Sequence, residues 1–330
     1  MNTVEYGIIK TIRKRGEPMH YNKKHFLDLK SLSASDIHYL LNSAQKMKYV
    51  LENSKGYVAP HLKGKTVATL FHEESSRSRL SYELAAQNLS AKVINITTAR
   101  EFNQKKSLKE VGTYVDKMGA DFIVIRHPIS GGPHHLAKYV KASVINAGDG
   151  LNENPSEALV DLLTILEQKN SFTGLKVAII GDIMYNRVAK SSIWALIKLG
   201  AKVSLAGPAT LIPRDIEKTG ATIHHSATEA IIDADVVLCL KVQEDRRGVA
   251  LIPSLNEYKK LYKINATRLS YAKEDVIVMH PGPINRGIEI SSGIIDKEGS
   301  VLDKQQVSGI AVRMALFHLH CRSGGGFLNV

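Results

Sequence analysis

Serine and arginine residues converge where an apolar stretch, residues 67–71, gives way to a helical pattern that runs to Leu89. The stretch has the composition of a buried strand. After it, Leu80, Leu84, Ala85 and Leu89 recur at helical spacing, which predicts an amphipathic helix with these residues on its apolar face. A helix start offers free backbone N–H groups and the positive end of a dipole, to which guanidinium and hydroxyl groups add donors. This arrangement predicts a phosphate site. The junction residues are Ser75, Ser76, Arg77, Ser78 and Arg79.

An ordinary serine N-cap is the alternative explanation of this junction, because serine is common at helix starts. A plain cap favours acidic residues in the first turn, where they offset the positive end of the dipole. Arg77 and Arg79 place positive charge there instead. The two arginines therefore favour anion binding over a simple cap.

Alternating strand and helix patterns surround the junction and continue along the chain. Ser33 and Asp36 start a helix over residues 33–53 with a capping-box pattern, and Pro155 starts a long apolar-periodic helix. The alternation predicts an α/β fold with two doubly wound parallel-sheet domains, joined by an interdomain helix, and a C-terminal helix that packs back on the first domain. Strands are predicted at residues 67–71, 93–96, 122–126, 143–147, 177–180, 202–206, 222–224, 236–240 and 276–279, and further helices at 107–118 and about 304–320. The last predicted helix has one apolar face, which carries Val307, Ile310, Ala311, Met314 and Leu316. The predicted domains are residues 1–155 with 305–330, and residues 156–304.

Composition indicates an ordinary soluble protein. The 330 residues are 44% apolar, and no apolar run reaches the roughly 18 residues of a membrane span, so no membrane partner is expected. The net charge of +12 would suit nucleic acid, but the lysines are scattered and aromatic content is 6%, which favours small anionic substrates and no nucleic acid. Cys239 and Cys321 are the two cysteines, so we expect a reducing cytoplasm, no disulfide framework and no metal site.

Five further motifs lie at or after predicted strands. They are IRHPISG at residues 125–131, VINAGDGLNENPSEALVD at 144–161, GDIMYNRVAKS at 181–191, KVQEDR at 241–246 and HPGPINRGIEI at 280–290. Together with the first junction, they resemble the aspartate and ornithine carbamoyltransferase family and keep its order from about residue 65 to residue 316. The family carries Ser-Thr-Arg-Thr-Arg at the first junction, where this chain has Ser-Ser-Arg-Ser-Arg, and the motif at 280–290 matches without a change. The motifs at 241–246 and 280–290 favour the aspartate branch.

The resemblance implies a transferase that moves the carbamoyl group of carbamoyl phosphate to the amine of aspartate, giving N-carbamoyl-aspartate and phosphate, a step of pyrimidine synthesis. It implies a homotrimer with sites between subunits and no cofactor, and it leaves a regulatory subunit open. The first domain would bind carbamoyl phosphate and the second the amino acid. The substrate amine is the nucleophile and the departing phosphate can take its proton, so no Ser-His-Asp triad or cysteine nucleophile is required.

Family positions map onto residues that suit this chemistry, because the phosphate must be held and the carbonyl oxygen polarised as negative charge develops. By resemblance, carbamoyl phosphate binds Ser75, Ser76, Arg77, Ser78, Arg126, Pro281 and Gly282. The catalytic residues are Ser78, Arg126, Asn154 and Glu157. The amino acid binds Arg187, Lys241 and Gln243, and the neighbouring subunit supplies a loop with Arg100, Gln104 and Lys105.

Several of these positions depart from the family pattern. Asn154 and Glu157 stand where the family has His and Gln, and Lys241 and Gln104 stand where it has Arg and Lys. Asn154 still donates to a carbonyl oxygen, but without charge. Glu157 accepts from the carbamoyl NH₂ group, yet it adds negative charge beside a phosphate, which costs Coulomb energy unless the carboxylate is paired. We therefore expect weak aspartate carbamoylation.

Other functions stay open from the sequence alone. The chain could use another acceptor or donor, or it could keep the fold as an inactive binding or scaffold protein. A dinucleotide oxidoreductase fits the sheets, but Gly181 is not followed by the glycine pair of that fingerprint. The retained cations Arg77, Arg126 and Arg187 favour an active enzyme.

Overall fold

Two parallel sheets form the framework of the protein. The computed structural model describes residues 21–53, 59–72, 76–97, 106–242, 245–246, 249–250, 252, 254–296 and 305–323. The first sheet contains β1 (Thr66–Phe71), β2 (Lys92–Thr97), β3 (Phe122–His127) and β4 (Ser143–Asp149), in the order β2-β1-β3-β4. The second contains β5 (Lys176–Ile180), β6 (Lys202–Ala206), β7 (Thr222–His224), β8 (Val236–Cys239) and β11 (Ile277–Met279), in the order β11-β8-β5-β6-β7. Between them in sequence, β9 (Asp245–Arg246) pairs antiparallel with β10 (Val249–Ala250).

Helices connect and cover these strands. The helices of the first half are α1 (Ala34–Asn53), α2 (Ser76–Asn88), α3 (Leu108–Lys117), α4 (Gly132–Ala137) and α5 (Pro155–Lys169). Those of the second half are α6 (Arg187–Lys198), α7 (Ala227–Ile231), α8 (Leu255–Tyr262), α9 (Ala266–Leu269), α10 (Ser292–Ile295) and α11 (Gln305–Ser323). Short 3₁₀ helices lie at Pro60–Leu62, Ala209–Leu211 and Ile216–Thr219.

Local sequence explains where several helices begin and end. Ser33 and Asp36 form the predicted capping box of α1, since the Ser33 N–H donates to Asp36 Oδ2 at 3.0 Å and the Asp36 N–H donates to Ser33 Oγ at 3.1 Å. Pro155 occupies the first turn of α5, where its missing N–H costs nothing. Asn170 ends that helix in the left-handed conformation, with φ of 60°.

Burial of the strands confirms the predicted fold class. All seven residues of β4 are buried, and in β1 every residue after Thr66 is buried. Parallel strands that are covered on both faces are typical of doubly wound α/β domains. Within the described residues, the structure contains every strand predicted from the sequence. It also contains short elements that the sequence analysis did not predict, which are β9, β10 and the helices α4, α7, α8, α9 and α10.

Two long helices join the two halves of the molecule. Helix α5 packs against β4 and α1 on one side and against α6 on the other. Helix α11 packs against α1, α2 and α5, which confirms that the C-terminal helix returns to the first domain. Residues 311–320 are buried all round rather than on one face, whereas Val307, which the sequence placed on the apolar face, is exposed. The expectation of a single apolar stripe was therefore wrong in part.

The apolar residues of α2 divide between the core and the surface. Ala85 and Leu89 are buried as predicted, but the side chains of Leu80 and Leu84 are 58% and 43% exposed. The inner face of α2 is completed instead by Tyr82, which packs edge-to-face with Phe317 of α11 at a centroid distance of 6.1 Å. Contact with α11 thus decides which side of α2 faces inward.

In the part of the chain that the structure describes, no helix combines the length and the apolar character needed to cross a bilayer.

The segment that precedes α1 is held to α4 by an ion pair that responds to pH. His134 Nε2 lies 2.7 Å from Asp28 Oδ2. Burial would raise the pKa of Asp28, but hydrogen bonds from His134 and Ser31 outweigh it and lower this pKa to about 2. The hydrogen bond with Asp28 raises the pKa of His134 above 6.5. Both partners are therefore charged at pH values between the pKa of Asp28 and the pKa of His134.

We expect His134→Gln to lower the free energy of unfolding by about 1 kcal/mol at pH 5.5 and by less at pH 9. A raised histidine pKa contributes stability below the unfolded-state value near 6.5, and this contribution is lost as pH rises through the folded-state value. Urea unfolding at both pH values measures the difference. His135→Gln is the control, since the His135 ring lies against Tyr139 instead. An equal loss at both pH values would show that the ion pair contributes nothing.

Candidate active site

The first sheet brings three strand ends to one edge. Phe71 of β1 pairs with Arg126 of β3, and Ile125 pairs with Asn146 of β4. The His72 N–H donates to the Arg126 carbonyl oxygen at 2.9 Å, which extends the ladder past the end of β1. Because parallel strands end at the same edge, the loops that follow β1, β3 and β4 meet there. The predicted phosphate turn and Arg126 are neighbours for this reason.

Helix α2 begins at Ser76, so the predicted phosphate turn forms its start. Ser75 and the Ser76 side chain lie outside the described residues. Arg77 is exposed and Ser78 is half-buried. A Cβ built on Gly282 would lie 3.7 Å from Arg77 Nη1, so the guanidinium of the first domain lies against a glycine of the second.

The loop after β11 carries Pro281 and Gly282 and is shaped by His280. The Gly282 N–H donates to His280 Nδ1 at 2.8 Å, and Gly282 has a φ of 70°, which favours glycine. Burial and then the charge of Lys241 lower the pKa of His280 to about 4, so the ring is neutral at pH 7. Lys241 itself is half-buried. Gln243, Arg100, Gln104 and Lys105 lie outside the described residues.

A buried carboxylate on β4 fixes the loops around the cleft. Asp149 accepts hydrogen bonds from the Gly131 N–H at 2.6 Å, the Asn146 side-chain amide at 2.8 Å and the Glu153 N–H at 3.2 Å. These bonds hold the loop after β3 to the loop after β4. Because these donors satisfy the hydrogen-bonding capacity of the carboxylate, they offset the free-energy cost of burying it. Asp149 is thus a scaffold residue for the strand ends.

Asn154 lies where the two domains touch. Its N–H donates to Ser191 Oγ at 3.1 Å and lies 3.3 Å from the Arg187 carbonyl oxygen, both on α6. The Ser156 hydroxyl donates to Asn154 Oδ1 at 3.4 Å. The side-chain oxygen is therefore occupied, and the amide nitrogen is the group that can donate to a substrate carbonyl.

Glu153 ties the same region to the N-terminal segment. Its Oε2 atom accepts from the Ser191 hydroxyl at 2.8 Å and from the Leu29 N–H at 2.8 Å. Lys198 of α6 donates to the carbonyl oxygens of Leu29, Lys30 and Leu32. Helix α6 is thus fastened to the first domain beside Asn154.

Arg187, the predicted anchor of the amino acid, crosses to the first domain. Its Nη1 atom lies 3.5 Å from the Gly150 carbonyl oxygen. A Cβ built on Gly148 would lie 3.1 Å from Arg187 Nε and 3.2 Å from Cζ, and Gly148 has a φ of 119°. Only a glycine lets the guanidinium approach the backbone so closely.

We expect Gly148→Ala to raise the KM for the amino acid about tenfold or more, because the new methyl group displaces Arg187 and strains the backbone. The KM for the phosphate-bearing substrate should change less. Steady-state kinetics with each substrate varied in turn measures both constants. Gly119→Ala is the control, because Gly119 has a φ of 90° and a Cβ there meets nothing within 4 Å. An equal rise in both variants would indicate a general folding defect.

The Glu157 carboxylate has a cationic partner that the sequence analysis did not identify. Arg313 Nη2 of α11 lies 2.9 Å from Glu157 Oε2. The sequence analysis made the cost of this acid depend on whether the carboxylate is paired, and the structure supplies a partner, because α11 brings an arginine to the first turn of α5. One turn further on, burial and then the charge of Glu157 raise the pKa of Asp161 well above its usual value.

Sequence reasoning missed Arg313, Glu153 and Ser191. Arg313 stands within an apolar helix, in AVRMAL, and a single charge in such a context is a usable signal for a buried partner. Glu153 and Ser191 lie inside recognised motifs and gave no separate signal. No group of three or more His, Cys, Asp or Glu side chains that could hold a metal ion occurs in the ranges that the structure describes.

The fold and the site define a class of protein: a two-domain α/β protein in which an arginine of each domain lies against a glycine of the other. Profiles of known families identify the class further. The profile of the aspartate/ornithine carbamoyltransferase carbamoyl-P binding domain matches residues 24–167, and that of the Asp/Orn binding domain matches residues 173–320. The chain belongs to the aspartate/ornithine carbamoyltransferase family.

Individual relatives are similar over nearly their whole length. The aspartate carbamoyltransferase catalytic subunit of Acetivibrio thermocellus is 52% identical over 309 residues, covering 93% of this chain and 99% of that protein. The subunit of the same name from Ruminiclostridium cellulolyticum is 50% identical, covering 93% and 98%.

Solved structures show the same architecture. Aspartate transcarbamoylase from Trypanosoma cruzi in complex with carbamoyl phosphate and aspartate is 28% identical and superposes with a TM-score of 0.79, covering 91% of this chain and 96% of that one. Ornithine carbamoyltransferase from Pyrococcus furiosus is 27% identical, with a TM-score of 0.78 and coverages of 89% and 96%.

Proposed function

We propose that this protein transfers the carbamoyl group of carbamoyl phosphate to the amine of aspartate, giving N-carbamoyl-aspartate and phosphate. One observation carries the proposal: the cation of each domain lies against a glycine of the other. Arg77 meets Gly282, and Arg187 meets Gly148. Two anionic substrates held by these cations would be brought together between the domains. The relatives at 52% and 50% identity bear the name of this activity.

The proposed roles follow from the chemistry of each side chain. Ser75, Ser76, Arg77 and Ser78 bind the phosphate with Arg126, and the loop at Pro281 and Gly282 closes over it. Arg126 and the Asn154 amide polarise the carbonyl oxygen as negative charge develops on it. Arg187 binds the α-carboxylate of aspartate, and Lys241 with Gln243 binds its side-chain carboxylate. The aspartate amine attacks the carbonyl carbon, the C–O bond to phosphate breaks, and the departing phosphate takes the amine proton.

The division of labour between domains is part of the proposal. Residues 1–155 with 305–330 form the domain for carbamoyl phosphate, and residues 156–304 form the domain for aspartate. The support is that all strands of the first sheet precede residue 155 and that α11 packs against α1 and α2. We place the protein in the cytoplasm, a proposal that the two free cysteines, Cys239 and Cys321, support.

Formation of N-carbamoyl-aspartate from carbamoyl phosphate and aspartate tests the function directly. The expected result is product with aspartate and none above background with ornithine, because Arg187 and Lys241 are cations suited to a dicarboxylate. Product with ornithine instead would overturn the choice of acceptor. Absence of product with both amino acids would overturn the transferase.

We also propose a homotrimer in which each site takes the loop containing Arg100, Gln104 and Lys105 from a neighbour. Leu80 and Leu84 expose 58% and 43% of their surface on α2, and Ile94 exposes 38% on the edge strand β2. Helix α2 packs against β2, and the loop follows that strand. Exposed apolar side chains on α2 and β2, followed in the sequence by a segment that carries cations, suit contact with a second copy of the chain.

Light scattering is expected to give three times the 36.3 kDa chain mass at micromolar concentration. Leu80→Ser with Leu84→Ser should shift the protein toward the monomer and lower activity at least about tenfold, since the shared loop would leave its site. Met118→Ser removes an equally exposed apolar side chain at the end of α3 and serves as the control. A fully active monomer would contradict both the trimer and the shared site.

A further inference from the structure

The guanidinium of Arg313, which pairs with Glu157, is restrained at both terminal nitrogens and on one face, whereas its Nε atom is buried without a hydrogen-bond partner among the described residues. Arg313 is 4% exposed. Its Nη2 atom lies 2.9 Å from Glu157 Oε2, its Nη1 atom donates to the Gly309 carbonyl oxygen at 2.8 Å, and its Cζ atom lies 4.9 Å from the centre of the Tyr82 ring. A Cβ on Gly309 would lie 2.7 Å from Nη1, so that glycine leaves room for the guanidinium. The arginine is therefore held in one position.

The carboxylate is the end of this pair that a substrate can reach. The Glu157 side chain is 26% exposed, against 4% for Arg313. Oε2 faces the arginine, whereas Oε1 has no hydrogen-bond partner among the residues described by the structure. Glu157 lies in the first turn of α5, three residues after Asn154, in the segment that follows β4. One carboxylate oxygen is thus fixed, and the other has no partner among the described residues.

Two demands of carbamoyl phosphate meet at this position. Its NH₂ group needs a hydrogen-bond acceptor, and its phosphate dianion is repelled by a neighbouring net negative charge. A neutral amide side chain satisfies both demands by itself. A carboxylate satisfies both only when a cation is held against it, because removing one partner of a buried pair leaves an uncompensated charge.

We propose that Arg313 is a positioning residue for the donor substrate, which cancels the charge of Glu157 and orients it so that Oε1 accepts a hydrogen bond from the carbamoyl NH₂ group. This inference rests on the proposed function, since it specifies how the same site tolerates an acid beside phosphate. The residue acts through Glu157 and does not itself touch the substrate.

A double-mutant cycle tests the inference on the whole protein. Arg313→Met is expected to raise the KM for carbamoyl phosphate and the Kd of inorganic phosphate at least about tenfold, because Glu157 is left charged and unpaired. Adding Glu157→Gln to Arg313→Met should return both constants to within about threefold of wild type, because the amide accepts without charge. The KM for aspartate should move less than about threefold in all variants.

Arg313→Lys keeps the positive charge but loses the forked guanidinium that hydrogen-bonds to both Glu157 and Gly309. Its KM for carbamoyl phosphate and its Kd of inorganic phosphate should therefore lie between those of wild type and Arg313→Met. This variant keeps the test informative if Arg313→Met folds poorly. Lys48→Met is the matched control, because Lys48 Nζ lies 2.7 Å from Glu167 Oε2 at the last turn of the same helix α5. Lys48→Met should lower thermal stability without changing the KM for carbamoyl phosphate or the Kd of inorganic phosphate.

The outcomes separate the inference from the proposed function. The role of Arg313 would be overturned if Arg313→Met kept the KM for carbamoyl phosphate and the Kd of inorganic phosphate within about twofold of wild type. It would also be overturned if Glu157→Gln did not restore these constants in Arg313→Met. Either result, with an active wild-type protein, leaves the transferase function standing. The proposed function would be overturned if the wild-type protein made no carbamoyl-aspartate. If the Kd of inorganic phosphate, measured by calorimetry, still changed across the variants as predicted, the role of Arg313 in compensating Glu157 would stand.

Discussion

Replacing Arg77 with alanine is expected to lower kcat/KM for carbamoyl phosphate by about 100- to 1000-fold and to abolish thermal protection by inorganic phosphate. The guanidinium stands at the start of α2, where the helix dipole and free N–H groups already favour an anion, and it lies against Gly282 of the opposite domain. Its loss removes a charged donor from the phosphate and a contact that draws the domains together. Differential scanning fluorimetry with phosphate and steady-state kinetics measure the two effects.

Arg79→Ala is the matched control for this prediction. The sequence analysis counted Arg79 with Arg77 at the predicted phosphate turn, but in the structure the Arg79 Nε atom lies 3.6 Å from Glu83 Oε1 of the same helix. Its loss should change phosphate protection little, because a half-exposed pair of this kind is worth less than about 1 kcal/mol. Undiminished protection in Arg77→Ala would remove the phosphate site from the α2 start.

Replacing Asn154 with histidine is expected to raise kcat about 10- to 100-fold, alone or together with Glu157→Gln. A histidine can donate to the carbonyl oxygen with positive charge, whereas the Asn154 amide donates without charge, and one such donor can change a rate by about 100-fold or more. Because Arg313 pairs with Glu157, the second substitution should add little to turnover. Turnover of carbamoyl phosphate at saturating aspartate measures the gain.

The two substitutions should be non-additive, since both residues are proposed to contact the carbamoyl group and lie at the N-cap and in the first turn of α5. Glu157→Gln alone should lower thermal stability, because it leaves buried Arg313 without its carboxylate. Asn154→Ala provides the opposite control and should be slower than wild type. Equal turnover with asparagine, histidine and alanine at position 154 would show that this side chain does not polarise the carbonyl.

The sequence by itself predicted the α/β class, the two parallel sheets and the strand ends that carry polar motifs. These features depend on local properties: the period of apolar residues, capping by Ser33 and Asp36, and proline at the first turn of α5. Because ligands bind at the carboxyl ends of parallel strands, the turn that carries Arg77 and the strand end that carries Arg126 are expected at one edge of the first sheet. Arg187 lies on a helix of the second domain, and its role was assigned by resemblance to the family.

Contacts between residues far apart in the chain needed the tertiary structure. Arg313 reaches Glu157 across 156 positions because α11 returns to the first domain, and this pairing changes the interpretation of an acid beside phosphate. The same packing leaves Leu80 and Leu84 on the surface, although their spacing predicted burial. Helical periodicity says which residues share a face, but the neighbouring helix decides which face is covered, and only the folded chain places that helix.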